Sequence, residues 1–290
     1  MGLPWIGYHS FLDTGTVTAS TTDTAYSVAN VKDRLTFTWW ENEPSSESDN
    51  TKAYINIDMG SAQTGPTYLA ITGHNIGTSH TGCTVGVYYS DDGVSYTLGV
   101  QQPATGTWIA HDNSIVMDLS SVSWGGTHRY WRVWFEFLTA GTAIRVAALA
   151  LGYRLEITEY MTRGFDPYAQ GLKFRQFRSR GGTFTGGIVD HTTQRVKLKF
   201  GEAGLSTTAF FNATAVPCWR DFLTDYWQRG LPWWFKSGWE TDVTSGTGTV
   251  TFPGWYCWAP DNAKSSTPSI FHNRRGWQFE FDVLVETYPV

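Results

Sequence analysis

The sequence predicts a mainly β fold in two domains, on three observations. Short runs alternate apolar and polar residues, as in Tyr54-Ile55-Asn56-Ile57-Asp58, Tyr68-Leu69-Ala70-Ile71 and Val85-Gly86-Val87-Tyr88-Tyr89, with Gly- and Ser-rich turns between them. One stretch, residues 214–228, changes to a helical period. The texture of the chain changes near residue 153, and 290 residues suffice for two ordinary domains.

In chain order, residues 1–24 begin with the apolar Trp5, Ile6, Tyr8, Phe11 and Leu12 and pass into the Thr-rich GTVTASTTDT. This suits a first strand or an arm lying on a neighbour. Ala25-Tyr26-Ser27-Val28-Ala29-Asn30-Val31 then leads through Asp33 and Arg34 to Thr38-Trp39-Trp40-Glu41. On a strand the adjacent Trp39 and Trp40 face opposite ways, so one of them turns outward. ENEPSSESDNTK, which follows, has the polar, acidic, Pro-containing composition of a solvated loop. After the three alternating runs come the connector TLGVQQPATGTW, a short strand Ile115–Leu119, and the run His128–Glu136. In that run Tyr130, Arg132, Trp134 and Glu136 share one face, and Trp131, Val133 and Phe135 the other. Ile144 to Leu151 is almost continuously apolar, as a strand covered on both faces is.

Several of these positions resemble the discoidin-type, galactose-binding-like jelly roll. The entry Ala25–Val31 with Asp33, the Thr38-Trp39-Trp40 position, the strand ending in His74-Asn75, the turn Ser90-Asp91-Asp92-Gly93 and the strand His128–Glu136 follow that family's order. The closing strand departs from it, with Ala147 and Ala148 in the place of an acidic residue. The resemblance covers residues 20–153, and similar GHN-plus-SDDG segments occur in phage tail-associated proteins. It implies a division into an arm or first strand (1–24), a jelly roll (25–153) and a second domain (154–290).

The second half reads as strands at 153–162, 172–177, 183–185 and 194–200, the last with Lys and Arg on its outer face. Residues 214–228 then place Trp219, Phe222, Leu223, Tyr226 and Trp227 on one face of an amphipathic helix of about four turns. Arg229-Gly230 stops it and Pro232 bars continuation. Strands resume at 231–236, through TSGTGTVTFPGWYCW, and at 276–286. A small antiparallel sandwich or split barrel with one α-helix fits this order, and it resembles the module of phage tail-tube, distal-tail and minor tail proteins.

Composition narrows the function. Formal charge is −5, with 7 Lys+Arg against 13 Asp+Glu in residues 1–155 and 14 against 13 in the remainder. The acidic first half argues against a nucleic-acid surface there. Core packing takes most of the 15 Trp, 14 Tyr and 17 Phe, and an excess beyond the core suits a carbohydrate site or a large subunit interface. Cys83, Cys218 and Cys257 form neither a disulfide framework nor a zinc set, which fits synthesis in a reducing compartment. Neither a signal peptide nor a membrane-spanning run is legible, so release by lysis is expected.

No nucleophile, zincin or phosphate-loop motif stands in the chain, and the seven histidines are scattered. Glu41, Glu43, Glu47 and Asp49 imitate a glycosidase pair, but carboxyls spaced along a polar loop are not held face to face. The expectation is therefore a protein that is not an enzyme. The family resemblance implies that Trp39 packs inward, which leaves Trp40 exposed as a ligand platform or interface anchor. It also implies a saccharide site drawn from Trp39, Trp40, His74, Asn75 and His80, and a structural Ca2+ site drawn from Asn30, Asp33 and Glu41. Trp219, Phe222, Tyr226, Trp233 and Trp234 are the candidate subunit interface. The expected role is a structural subunit of a phage tail tip or baseplate, of distal-tail or minor tail type. It would form a ring with its own copies and with other tail proteins, in a virion made in the host cytoplasm. The alternative is a receptor-recognition protein that binds a cell-surface glycan.

Overall fold

Alternation in the first half is realised as antiparallel strands: β1 (Trp5–Ser10), β2 (Thr16–Ala19), β3 (Trp40–Glu41), β4 (Lys52–Thr64), β5 (Tyr68–His74), β6 (Cys83–Ser90), β7 (Thr97–Gln102), β8 (Ile115–Asp118), β9 (Thr127–Phe137) and β10 (Arg145–Glu156). Short helical turns α1 (Phe11–Thr14) and α2 (Ile76–Ser79) interrupt them. The structure, a computed structural model, describes residues 3–46, 49–80, 82–104, 106–157, 170–178, 184–205, 217–238, 242–244, 250–259, 269–273 and 276–285. It divides into two units: Met1–Glu156 with Trp234–Gly254, and Ile157–Trp233 with Trp255–Val290.

In the first unit β2–β4–β9–β6–β7 form one sheet and β1–β10–β5–β8 the body of another, with β3 paired to the start of β10. Their inner faces meet in one core: Ile55, Ile57, Val85, Val87, Trp131, Val133 and Phe135 from one sheet, Leu69, Ile71, Ile115, Met117, Val146, Leu149 and Leu151 from the other. This is the expected jelly-roll sandwich, and the inward set on β9 is the one its alternation predicts. Tyr130, Arg132, Trp134 and Glu136 accordingly lie on the outer face. There the Arg132 guanidinium carbon sits 3.9 Å from the Tyr54 ring centre and 3.6 Å from that of Tyr96, while Tyr54 stacks on Trp134 at 5.3 Å and 10°.

The sequence division differs from this at three places. Residues 5–10 and 16–19 are strands of the sandwich, β1 pairing with β10 and β2 with β4, so among the described residues of 1–24 there is no free arm. The break read near residue 153 lies inside β10, which continues to Glu156. Just before that break a Cβ on Gly152 would stand 2.2 Å from the His9 carbonyl oxygen, so this glycine permits the close approach of β1. Third, the chain comes back. After β11 (Gln170–Arg178) and β12 (Phe184–Leu205) of the second unit, β13 (Trp233–Lys236) pairs with β1 and is followed by β14 (Val243–Thr244) and β15 (Val250–Thr251). Val250 and Phe252 enter the sandwich core, and the Val116 amide donates to the Phe252 carbonyl at 3.0 Å.

In the second unit β12 is a single strand of 22 residues. Its first half pairs with β11 and its second with β18 (Gly276–Val285), which also pairs with β16 (Trp255–Trp258) and β17 (Ser269–Asn273). The expected strands 183–185 and 194–200 are parts of it, apart from residue 183, which lies outside the described residues. Residues 158–162 and 214–216 also lie outside them. The described helix is shorter than expected and changes type: α3 (Trp219–Asp221) passes into a π-helical turn Phe222–Trp227, closed by Gln228 N–H donating to Leu223 O, five residues back. The wider turn brings Phe222 and Trp227, five apart, to one buried face and leaves Leu223 and Tyr226 half-buried. Gly230, at φ 67°, ends it.

This also corrects the interface expectation. Trp219, Phe222, Trp233 and Trp234 are buried within the chain, and only Tyr226 is half-buried. Phe222 meets Trp233 edge to face at 5.1 Å, and the Trp234 indole N–H donates to Thr72 Oγ1 at 2.9 Å. An aromatic stripe specifies that a face is covered; it does not specify by which chain.

Candidate functional site

At one end of the sandwich three strands come into line, since Val146 of β10 is paired with both His74 of β5 and Trp40 of β3. One residue along, Arg145 stands opposite Glu41. The side chains of Trp39 and Trp40 diverge as alternation requires. The expected facing is reversed: Trp40 is the fully buried one, its indole N–H shared between Thr21 O and Thr22 Oγ1 at 3.2 Å each. Trp39 remains near the surface, where the Tyr26 ring stacks on it at 5.0 Å and 20°.

Glu41 ties this end together. Its Oε2 accepts from Trp39 Nε1 at 3.2 Å and from Arg145 Nε at 2.9 Å, and the Arg145 guanidinium carbon lies 5.5 Å from the Trp39 ring centre. Asn75 fixes the other side of Arg145: its Oδ1 accepts from Arg145 N at 2.7 Å, and its Nδ2 donates to Ala143 O at 3.0 Å and Ser79 Oγ at 2.8 Å. The guanidinium is half exposed (50%) while Glu41 is 13% exposed, so a sheltered carboxylate presents a solvent-facing cation. Its N–H donors other than Nε are set in a fixed planar fork, the geometry that engages adjacent hydroxyls or a carboxylate.

The two histidines do something else. His74 is buried; its Nε2–H donates to Asn113 O at 2.8 Å and its Nδ1 accepts from Ile76 N at 3.4 Å. Burial holds it neutral, down to about 4. His80 is buried against Phe137, the rings stacked at 4.0 Å and 13°, and burial lowers its pKa as well. Of the five residues expected to hold a saccharide, Trp39 and Asn75 therefore stand at the surface of this end, and Trp40, His74 and His80 are core. Sequence reading missed Arg145, although a lone cation in the apolar run Ile144–Leu151 is the signal that would have found it.

The three expected Ca2+ ligands do not form a cage. Asn30 Nδ2 donates to Trp39 O at 2.9 Å, Asp33 accepts from Leu35 N at 2.8 Å and Thr38 Oγ1 at 2.7 Å, and Glu41 Oε2 accepts from Trp39 and Arg145. Among the described residues no group of three or more His, Cys, Asp or Glu is placed to hold a metal ion. Of the loop acids, Asp49 is bound to Lys52 at 2.7 Å, and hydrogen bonds from Lys52 and Thr51 hold its carboxyl near 2. Glu47 lies outside the described residues.

The other end of the sandwich carries the Ser90–Gly93 turn. Asp92 Oδ1 accepts from Val94 N and Ser95 N at 2.8 Å each and from Ser90 Oγ at 2.8 Å, which keeps the carboxyl near 2. A shallow cavity of about 210 Å3 is lined there by Tyr89, Ser90, Asp91, Asp92, Ser95 and Thr97. These are turn-forming bonds.

Compared with known proteins, the chain matches no protein-family model and no curated protein. Among solved structures it is similar to a GH29 fucosidase of Ruminococcus gnavus in complex with fucose, at 18% identity and TM-score 0.38, over 50% of this chain and 26% of that one. It is similar to the family 32 carbohydrate-binding module of NanJ from Clostridium perfringens in complex with galactose, at 15% identity and TM-score 0.39, over 51% of this chain and 98% of that one. A chitosan-binding module of a Paenibacillus chitosanase/glucanase is similar at 14% identity and TM-score 0.35, over 50% and 98%. The chain thus spans about a quarter of the fucosidase's length and nearly all of either module's.

Proposed function

We propose that the first unit binds a saccharide non-catalytically at the end formed by Trp39, Glu41, Arg145 and Asn75. The observation that carries this reading is the single Glu41 oxygen holding both the Trp39 indole and the Arg145 guanidinium at the surface. Sugars are recognised by planar polar groups that bridge neighbouring hydroxyls beside an aromatic surface, and pre-set side chains avoid the ordering cost of binding. Glu41 Oε1 has no hydrogen bond among the described residues, which leaves one acceptor on the carboxylate that holds Arg145.

The body that carries this site is, in our reading, a tail-associated virion protein of a phage, with a structural role at the tail tip or baseplate. The specific support is the order of the GHN and SDDG segments: the first closes β5 and leads into Asn75, and the second makes the β6–β7 turn, at opposite ends of one sandwich.

A glycan array probed with the purified protein tests the site, with galactose and fucose among the printed sugars. Binding that is lost in Arg145→Ala and Trp39→Ala supports it, and binding that survives both variants refutes it. The tail role is tested by mass spectrometry of purified virions and negative-stain microscopy of the protein. Absence from particles together with a monomer in solution would overturn it.

A further inference from the structure

Asn42 lies in the stretch whose composition suits a solvated loop, yet it is 2% exposed. A side-chain amide is kept from water at little cost only where its hydrogen bonds are made. Its Oδ1 accepts from Ile144 N at 2.8 Å, and its backbone N–H donates to Ile144 O at 3.3 Å. Both bonds close on the residue before Arg145, just past the pair of Glu41 and Arg145 that ends the β3–β10 ladder. On the other flank Asn75, just after β5, accepts from Arg145 N and donates to Ala143 O. Where the ladders stop, two side-chain amides carry them on, and Ala143, Ile144 and Arg145 are held from both sides. The two amides differ in their access to water. Asn75 is half-buried, so water can stand in for it, whereas Ile144 is fully buried and its N–H has the Asn42 oxygen as acceptor.

Glu41 and Asn42 are adjacent, so one short segment holds Arg145 twice. Glu41 Oε2 takes the guanidinium, and Asn42 takes the backbone one residue away. A slip of one residue in a strand pair turns each side chain to the opposite face, and here it would carry Glu41 away from Arg145. From this we infer that Asn42 is a positioning residue of the saccharide site. Itself buried, it fixes the register that sets the Glu41–Arg145 pair and, through Glu41 Oε2, the Trp39 indole. The inference rests on the saccharide reading proposed above.

The test compares the wild type with Asn42→Ala, with Asn42→Asp, which keeps the acceptor oxygen, and with Phe252→Ala, which weakens the core of the same unit elsewhere. Each is titrated calorimetrically with the best array ligand at pH 7, at a temperature where circular dichroism shows it folded. Exchange of the Arg145 Nε–H with water is measured by NMR in the ligand-free proteins. Asn42→Ala is expected to weaken binding about tenfold and to speed that exchange about tenfold, with Asn42→Asp recovering most of both and Phe252→Ala within about twofold of wild type. If Asn42→Ala does not fold, Asn42→Ser, whose hydroxyl is too short to reach Ile144 N, takes its place. Wild-type affinity and exchange in that variant overturn the inference and leave the site at Arg145 standing. An equal loss in Phe252→Ala also overturns it, by showing that affinity follows stability alone. Absence of binding to any printed sugar by the wild type refutes the saccharide reading, and the exchange rates then decide alone whether Asn42 sets the Glu41–Arg145 pair.

Discussion

Acid should dismantle the Arg145 end through His74. The ring is fully buried, with its Nε2–H on Asn113 O and its Nδ1 accepting from Ile76 N, so adding a proton to Nδ1 would both charge a buried group and destroy an acceptor. Its folded value is about 4 against an ordinary 6.5. Unfolded chains take up this proton near pH 6.5 and the native one does so only near 4. Stability is therefore full above about 6.5 and drains as the pH falls towards 4. That gap corresponds to about 3 kcal/mol. Asp49 and Asp92, held near 2, contribute only at lower pH. Urea unfolding at pH 7, 5.5 and 4 should show this loss, and His74→Gln should flatten the decline by about that amount whatever it does to stability at pH 7. The buried His80 and half-buried His111, lowered in the same direction, leave a residual slope. Because Asn75 follows His74 and holds the Arg145 amide, saccharide binding should fade over the same range. An unchanged decline in His74→Gln, or a His74 Hε1 resonance titrating near 6.5 in the native protein, would refute the reasoning.

Three further outcomes follow from the packing. Cys83, Cys218 and Cys257 are buried and burial pushes each thiol up, so a thiol reagent should label none in the native protein and three per chain in denaturant; rapid native labelling would contradict their placement. Phe252→Ala should destabilise the first unit by about 3–5 kcal/mol in urea unfolding, because a returning segment fills that core; a loss under about 1 kcal/mol would show the segment to be dispensable. Arg132→Ala removes a guanidinium held by Tyr54 and Tyr96 and bonded to Asn56 Oδ1 at 2.6 Å. It should cost about 1–2 kcal/mol, measured as a shift in the urea midpoint at constant slope, and no shift would mark the ladder as decorative.

How much of this was legible in the chain depends on how local each signal is. Alternation is a property of neighbours, so the strands β4, β5, β6 and β9 and the two faces of β9 could be read directly, as could the opposite facing of Trp39 and Trp40. Which tryptophan faces inward could not, and the family position pointed to Trp39 where Trp40 is buried, because the facing is set by how β3 pairs with β10. The aromatic stripe around Trp219 was readable as a covered face, but not as a face covered from within the chain. Arg145 and Glu41 are separated by more than a hundred residues, and only strand register brings them together. The sequence by itself determined the β class, the alternating faces and the residue types capable of binding. Tertiary structure alone decided that residues 234–254 complete the first unit, that His74 and His80 are core, and that one Glu41 oxygen joins Trp39 to Arg145. The reason is physical: periodicity records the environment of a strand's two faces, whereas a site is built from long-range register, which leaves no local trace.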